Sequence, residues 1–172
     1  MIATLAQWIR DVPDFPRKGI VFRDITPLLH DGPAFQDAIG QLSARWTSHP
    51  PELVAAIESR GLLFGAPLAC ALGAGIVPIR KPGKLPHKTH RASYALEYGH
   101  DALEIHQDAV EPGQRVLLID DVLATGGTMC AAVELIEQCG GQIIGVEFLI
   151  ELTALKGRAR LSPHPVFSLI QY

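Results

Sequence analysis

The stretch Val116-Leu117-Leu118-Ile119-Asp120-Asp121-Val122-Leu123-Ala124-Thr125-Gly126-Gly127-Thr128 restricts the possible fold more than any other part of the chain. Its four leading apolar residues, two of them β-branched, read as a strand covered on both faces, the kind found in parallel sheets. The two acids are expected to end that strand. A small-residue loop follows, and residues 129–139 suit a helix that closes on Gly140-Gly141. A strand that delivers carboxylates into such a loop, at a helix N-terminus, suits a phosphorylated sugar. Free backbone N–H groups and the helix dipole attract the phosphate. The carboxylates would repel it, and suit sugar hydroxyls or a hydrated cation instead. Alone, Asp-Asp can simply end a strand and Gly-Gly make a turn; their order and spacing favour the site. Two other phosphate loops are excluded. No Lys follows Gly127 as the Walker loop requires, and Pro78 stands where a dinucleotide motif beginning at Gly73 needs its third glycine.

The remaining pattern alternates strands with helices. Residues 2–10 suit a short helix, residues 19–27 an extended segment, and Asp31-Gly32-Pro33 a helix start with Pro at its first position. Ala38, Ile39, Leu42 and Trp46 recur at helical spacing and are expected in the core. Strands are expected at 53–57, 76–79, 142–150 and 166–170, with Pro78 marking a sheet edge or a strand end. A helix is expected at 62–72, a hairpin pairing 94–98 with 103–106, and a last helix at 153–160 capped by Thr153. The expected class is α/β: a twisted, mainly parallel sheet with helices on both faces. Ligands of such sheets collect beyond the carboxyl ends of the strands. That rule brings residues 58–60, 80–84 and 120–128 to one rim.

At 172 residues one domain is expected, 1–172, large enough to bury about 70% of its unfolded surface. No apolar run approaches a membrane span, Met1-Ile2-Ala3 runs into polar residues unlike a secretory signal, and a net charge of −3 argues against a general nucleic-acid binder. Cys70, Cys130 and Cys139 lack metal-ligand spacing and read as buried thiols of a reducing, cytoplasmic compartment. The pair His87 and His90 has no Cys or acid nearby to complete a zinc set. One charge asymmetry stands out. Arg80, Lys81, Lys84, Lys88 and Arg91 follow one another with no acid between them. A solvated loop accounts for this, and so does a mobile basic loop that meets a polyanion, which is the preferred reading.

Several separate motifs, in one order from about residue 12 onward, resemble the type I phosphoribosyltransferases, and among them those that act on adenine. They are Phe15-Pro16, the run from Gly19 to Pro27, Glu58-Ser59-Arg60-Gly61, Ile79-Arg80-Lys81-Pro82-Gly83-Lys84, Leu96-Glu97-Tyr98-Gly99 and the stretch 120–128. The match continues through Glu151-Leu152-Thr153-Ala154-Leu155-Lys156-Gly157-Arg158 to Phe167-Ser168-Leu169-Ile170-Gln171-Tyr172. The resemblance implies the type I fold with an N-terminal hood, about 1–30, over the base site, and a flexible catalytic loop at about 84–100. The implied reaction is purine salvage: adenine plus 5-phosphoribosyl-1-pyrophosphate (PRPP) gives AMP and pyrophosphate, with Mg²⁺. Ala124, Thr125, Gly126, Gly127 and Thr128 would then bind the 5-phosphate. Asp120 and Asp121 would hold the ribose hydroxyls and help place the metal. Ser59, Arg60, Lys81 and Lys84 would meet pyrophosphate, and Arg80 would reach the neighbouring site of a homodimer. Backbone groups of Val21 and Arg23 would read the purine edge, with Phe22 and Leu123 on its two faces. Relatives that use 6-oxopurines carry an Asp general base where this chain has Ala124. The implied base here is Glu97, with Tyr98 covering the site. Blander roles stay open: a surface ion pair for Arg60, a core position for Phe22, a partner of the basic run for Glu97. Two other functions also stay open, a PRPP-binding regulator and a transferase for another nucleobase.

Overall fold

The computed structural model describes residues 5–95 and 100–172. Its centre is a parallel five-stranded sheet in the order β4-β3-β7-β8-β9. The strands are β3 (Leu53–Ile57), β4 (Gly75–Ile79), β7 (Arg115–Leu123), β8 (Gln142–Glu151) and β9 (Val166–Gln171). Alternation along β3 shows why both faces must be covered. Val54 and Ala56 join one apolar cluster and Ala55 and Ile57 the other, and all four are buried. Helices α2 (Gly32–Ala44) and α3 (Gly61–Leu72) cover the first face, α4 (Gly127–Gln138) the second. Asp31 caps α2 by accepting the Ala34 N–H at 2.8 Å, with Pro33 in the first turn. Ala38, Ile39, Leu42 and Trp46 are buried as their spacing implies. Pro78 lies on edge strand β4, where a missing N–H costs no inter-strand bond on the open side.

Two antiparallel ribbons are added to this sheet. Strands β1 (Arg10–Pro13) and β2 (Val21–Asp24) form the N-terminal hairpin, and a five-residue helix α1 (Thr26–His30) follows. Strands β5 (Thr89–Ala95) and β6 (His100–His106) pair across seven positions, from Thr89↔His106 to Ala95↔His100, and this hairpin packs against α4. Residues 96–99, with Glu97 and Tyr98, lie outside the described residues. Among the described residues no helix is long and apolar enough to cross a membrane.

Several local expectations need correction. Strand β7 does not end at the acids but runs on to Leu123, because Val122 and Leu123 continue the parallel ladder opposite Ile150 and Glu151. Among the described residues the N-terminal helix is a single 3₁₀ turn, Leu5–Trp8, and Arg10 is already paired to Asp24 in β1; residues 2–4 lie outside the described residues. The extended segment stops at residue 25, where Asp24 accepts the N–H and hydroxyl of Thr26 at 2.9 and 2.8 Å and starts α1. The hairpin strands are longer than expected, and His100 and Asp101 are strand rather than turn. Residues 153–160 form no α-helix. Lys156 takes a left-handed φ of 54° that splits the segment into 3₁₀ turns at Thr153–Leu155 and Gly157–Leu161. Thr153 does not cap; its hydroxyl donates to the Tyr172 carbonyl at 2.6 Å. Of the three free cysteines only Cys139 is buried, whereas Cys70 is exposed.

Candidate active site

The carboxyl ends of β3 and β7 and the N-termini of α3 and α4 converge on one rim. Residues 124–126 link β7 to α4, and Gly126, at the helix N-cap, has φ of 83°, which favours glycine. A cavity of about 70 Å³ is lined by Asp120, Leu123, Ala124, Thr125, Gly126, Gly127 and Thr128, with Val122, Met129 and Phe148 behind them. The first N–H groups of α4 have no partner within the helix, and Gly127 and Thr128, which carry two of them, line this cavity. The loop is backed from outside by Gly157. A Cβ on Gly157 would stand 2.2 Å from the Ala124 carbonyl oxygen, and one on Gly126 would stand 2.8 Å from the Gly157 oxygen. Only two glycines permit so close an approach.

The acid pair sits beside the loop. Asp121 is buried, and Arg60 at the N-cap of α3 places Nε 2.8 Å from its Oδ2. Asp120 Oδ1 accepts the Asp121 N–H at 2.9 Å and lies so near Gly61 that a Cβ there would approach it to 2.8 Å. Burial, and after it repulsion from Asp121, pushes the Asp120 carboxyl well above the usual range. Burial raises Asp121 too, against the pull of Arg60. Removing these charges from water is unfavourable, and a cation or hydroxyl donors at the site relieve it. Among the described residues no three His, Cys, Asp or Glu side chains gather as a metal site. Two hard oxygen donors without a third fit Mg²⁺ completed by water and substrate oxygens, and do not fit a closed protein cage.

The Arg60 guanidinium also lies 5.0 Å over the Phe22 ring, joining the acid pair to the N-terminal hairpin. There Phe15 and Phe22 meet edge to face at 5.2 Å, and Val12, Phe15, Phe22 and Asp24 line a cavity of about 220 Å³. Among the described residues strand β2 pairs with β1 alone, so its other edge has backbone groups that no strand takes up. Arg23 itself pairs with Asp11, and its guanidinium lies 3.7 Å over the Tyr172 ring. Leu123 lines the loop cavity, while Phe22 lines the hairpin cavity.

The basic run is divided between two acids. Half-buried Glu58 accepts Arg80 Nε and the Lys81 N–H, both at 2.8 Å, and Lys84 Nζ lies 3.4 Å away. Burial favours the neutral form of Glu58, but these three donors together hold its carboxyl below the usual range. The ammonium of Lys81 turns instead to Asp101 and to the Tyr94 hydroxyl, on the β5–β6 hairpin. Ser59 is exposed at the end of β3, after a cis Glu58–Ser59 peptide. Sequence reasoning placed Glu58 in a motif without giving it a role, and the 22 residues separating it from Arg80 concealed the pair.

Residues 28–169 match the phosphoribosyl transferase domain family. An adenine phosphoribosyltransferase of Roseiflexus sp. is 55% identical over 172 residues, covering 100% of both chains. The crystal structure of adenine phosphoribosyltransferase from Thermoanaerobacter pseudethanolicus superposes with a TM-score of 0.95 at 52% identity, over 98% of each chain. That of the Saccharomyces cerevisiae enzyme, complexed with adenine and an imino-altritol bisphosphate, gives 0.91 at 41% identity over 96% of each chain. A five-stranded parallel sheet, a family match that spans most of the chain and near-complete coverage by these relatives agree: the chain belongs to the phosphoribosyltransferase family, among the adenine phosphoribosyltransferases.

Proposed function

We propose that this chain transfers the 5-phosphoribosyl group of PRPP to adenine, giving AMP and pyrophosphate, and so serves purine salvage. The observation that carries this reading is Arg60, which touches both the acid pair beside the phosphate loop and the aromatic wall of the N-terminal hairpin. A sugar on the loop and a planar base on Phe22 would then meet at one reacting carbon. The yeast relative's complex with adenine supports the choice of base.

The reaction forms a bond from a purine ring nitrogen to C1′ and breaks the bond from C1′ to pyrophosphate, with positive charge developing on the sugar as it does. Loop N–H groups and the hydroxyls of Thr125 and Thr128, with Ala124, Gly126 and Gly127, hold the 5-phosphate. Asp120 and Asp121 accept the ribose hydroxyls, and their charge favours the cationic sugar. Ser59, Arg60, Lys81 and Lys84 receive the departing pyrophosphate, Arg60 acting closest to the reacting centre. The backbone of Val21 and Arg23 reads the purine edge, between Phe22 and Leu123. Glu97 takes the purine proton and Tyr98 covers the site. Asp120 and Asp121 would hold Mg²⁺ together with water and substrate oxygens, and the ion would supply positive charge for the leaving group. The chain works as a homodimer in which Arg80 reaches the neighbouring site. Exposed Leu63 on α3 and exposed Ile76 on edge strand β4 supply an apolar surface for that contact. Sedimentation should give twice the 18.6 kDa chain mass. Three free thiols fit a cytoplasmic setting.

Adenine, hypoxanthine, guanine and orotate, each assayed with PRPP and Mg²⁺, test the reading. Pyrophosphate release with adenine alone is expected. Turnover of a 6-oxopurine or of orotate would contradict the substrate, and silence with every base would leave a PRPP-binding regulator. Phe22→Ala should raise the KM for adenine roughly tenfold and leave that for PRPP within about twofold, since stacking on a base is worth about 1–3 kcal/mol. Steady-state kinetics with each substrate varied in turn checks this.

A further inference from the structure

The segment Glu151–Arg158 has no part in the roles assigned so far, yet it forms the most densely bonded polar cluster near the site. Buried Glu151 stands at the end of β8, and its Oε1 accepts Arg158 Nε at 2.9 Å. Its Oε2 accepts the Arg158 Nη2 group, the Ser168 hydroxyl at 2.6 Å and Gln171 Nε2 at 3.3 Å. The same guanidinium donates to the Val166 carbonyl and, at 3.1 Å, to Ser168 Oγ. One planar fork thus ties three chain segments together, which a lysine could not do. Next to it stands Gly157, the residue in direct contact with Ala124 and Gly126. Three positions further, Arg160 Nη1 donates to the Thr125 carbonyl at 3.2 Å. None of residues 151–161 is among those lining the loop cavity. The turn touches the loop from behind.

We propose that Glu151 and Arg158 are positioning residues for the sugar-phosphate loop: by fixing the Gly157 turn they hold Ala124–Gly126 in the conformation that binds a 5-phosphate. The proposal rests on the assignment of that loop to the 5-phosphate. The turn has little hold of its own, being a short 3₁₀ element after a left-handed Lys156. With the fork intact, the loop meets the ligand already ordered; without it, binding must first order the turn.

The test is calorimetry with two fragments, ribose 5-phosphate for the loop and pyrophosphate for the basic rim. Arg158→Met should weaken ribose 5-phosphate about tenfold and leave pyrophosphate within about twofold. Ser168→Ala, which removes the hydroxyl that donates to Glu151 and accepts from Arg158 and Gln171 but leaves the Glu151–Arg158 pair in place, should do the same about threefold. Arg158→Lys should recover little, because the fork and not the charge is used. A merely structural role would lower Tm with no selective change in either dissociation constant, and that result, or equal weakening of both fragments, overturns the proposal. Thr125→Ala with Thr128→Ala separates the two levels of the argument. If that pair leaves ribose 5-phosphate binding intact, the loop assignment fails. If it weakens binding while Arg158→Met does not, the positioning role alone fails.

Discussion

Replacing Gly126 by alanine is expected to lower kcat/KM for PRPP about a thousandfold, with the KM for adenine held within about threefold. Two costs combine. A left-handed φ of 83° disfavours a side chain by about 1–2 kcal/mol. The new Cβ would also stand 2.8 Å from the Gly157 oxygen, a backbone atom that cannot rotate aside. The loop must shift, which displaces the residues that line the cavity. Loss of even one charge-assisted bond to the phosphate costs about 1.5–3 kcal/mol. The sum, about 4 kcal/mol, corresponds to the stated factor. Adenine binding depends on the hairpin wall and should change little. Steady-state kinetics would show the asymmetry, and a normal KM for PRPP would place the 5-phosphate elsewhere.

Glu147 carries the second large effect, on stability. It is buried in β8, where its Oε1 lies 3.8 Å from Arg45 Nε, and neither its Oε2 nor the Trp46 indole N–H has a hydrogen bond of good geometry. Arg45 stacks 4.0 Å over Phe167, and Trp46 meets that ring edge-on at 5.7 Å, so the carboxyl is enclosed by apolar matter. Burial pushes its pKa up to about 7, against the pull of Trp46 and Arg45. The folded chain therefore holds a proton that the unfolded chain, with an ordinary value of 4.5, has released. Stability from this group is complete below pH ~4.5 and is lost as pH rises through ~7. The loss amounts to about 3 kcal/mol. Glu147→Gln should match the parent near pH ~4 and exceed it by up to that amount at pH ~8. Denaturant midpoints across the range would show it, and parallel curves for the two proteins would contradict it.

Much of the frame was legible because it rests on local pattern. Strand β3 falls on the five apolar residues Leu53–Ile57, and α2 begins where Asp31 and Pro33 say it should. The short link between β7 and α4 was also legible, because small residues after a buried strand mark a tight turn into a helix, and Gly126 supplies its left-handed φ. What escaped was set by contacts between distant segments. Two acids ordinarily end a strand, but parallel pairing to β8 carries β7 past them, and Arg60 receives the charge. The left-handed Lys156 and the contact of Gly157 with the loop depend on where β8 and β9 end, and no residue nearby signals that. Glu58 with Arg80, and Glu151 with Arg158, are pairs of common surface residue types whose burial only the assembled sheet defines.

The central claim is that the acid pair and glycine loop, with the basic rim, hold the two ends of one activated sugar. Calorimetry with ribose 5-phosphate and pyrophosphate together, in the presence of Mg²⁺, tests it most directly. The account predicts that each fragment binds with the other already in place, and that intact PRPP binds more tightly than either. Mutual exclusion of the two fragments, or no heat with PRPP at all, would contradict it.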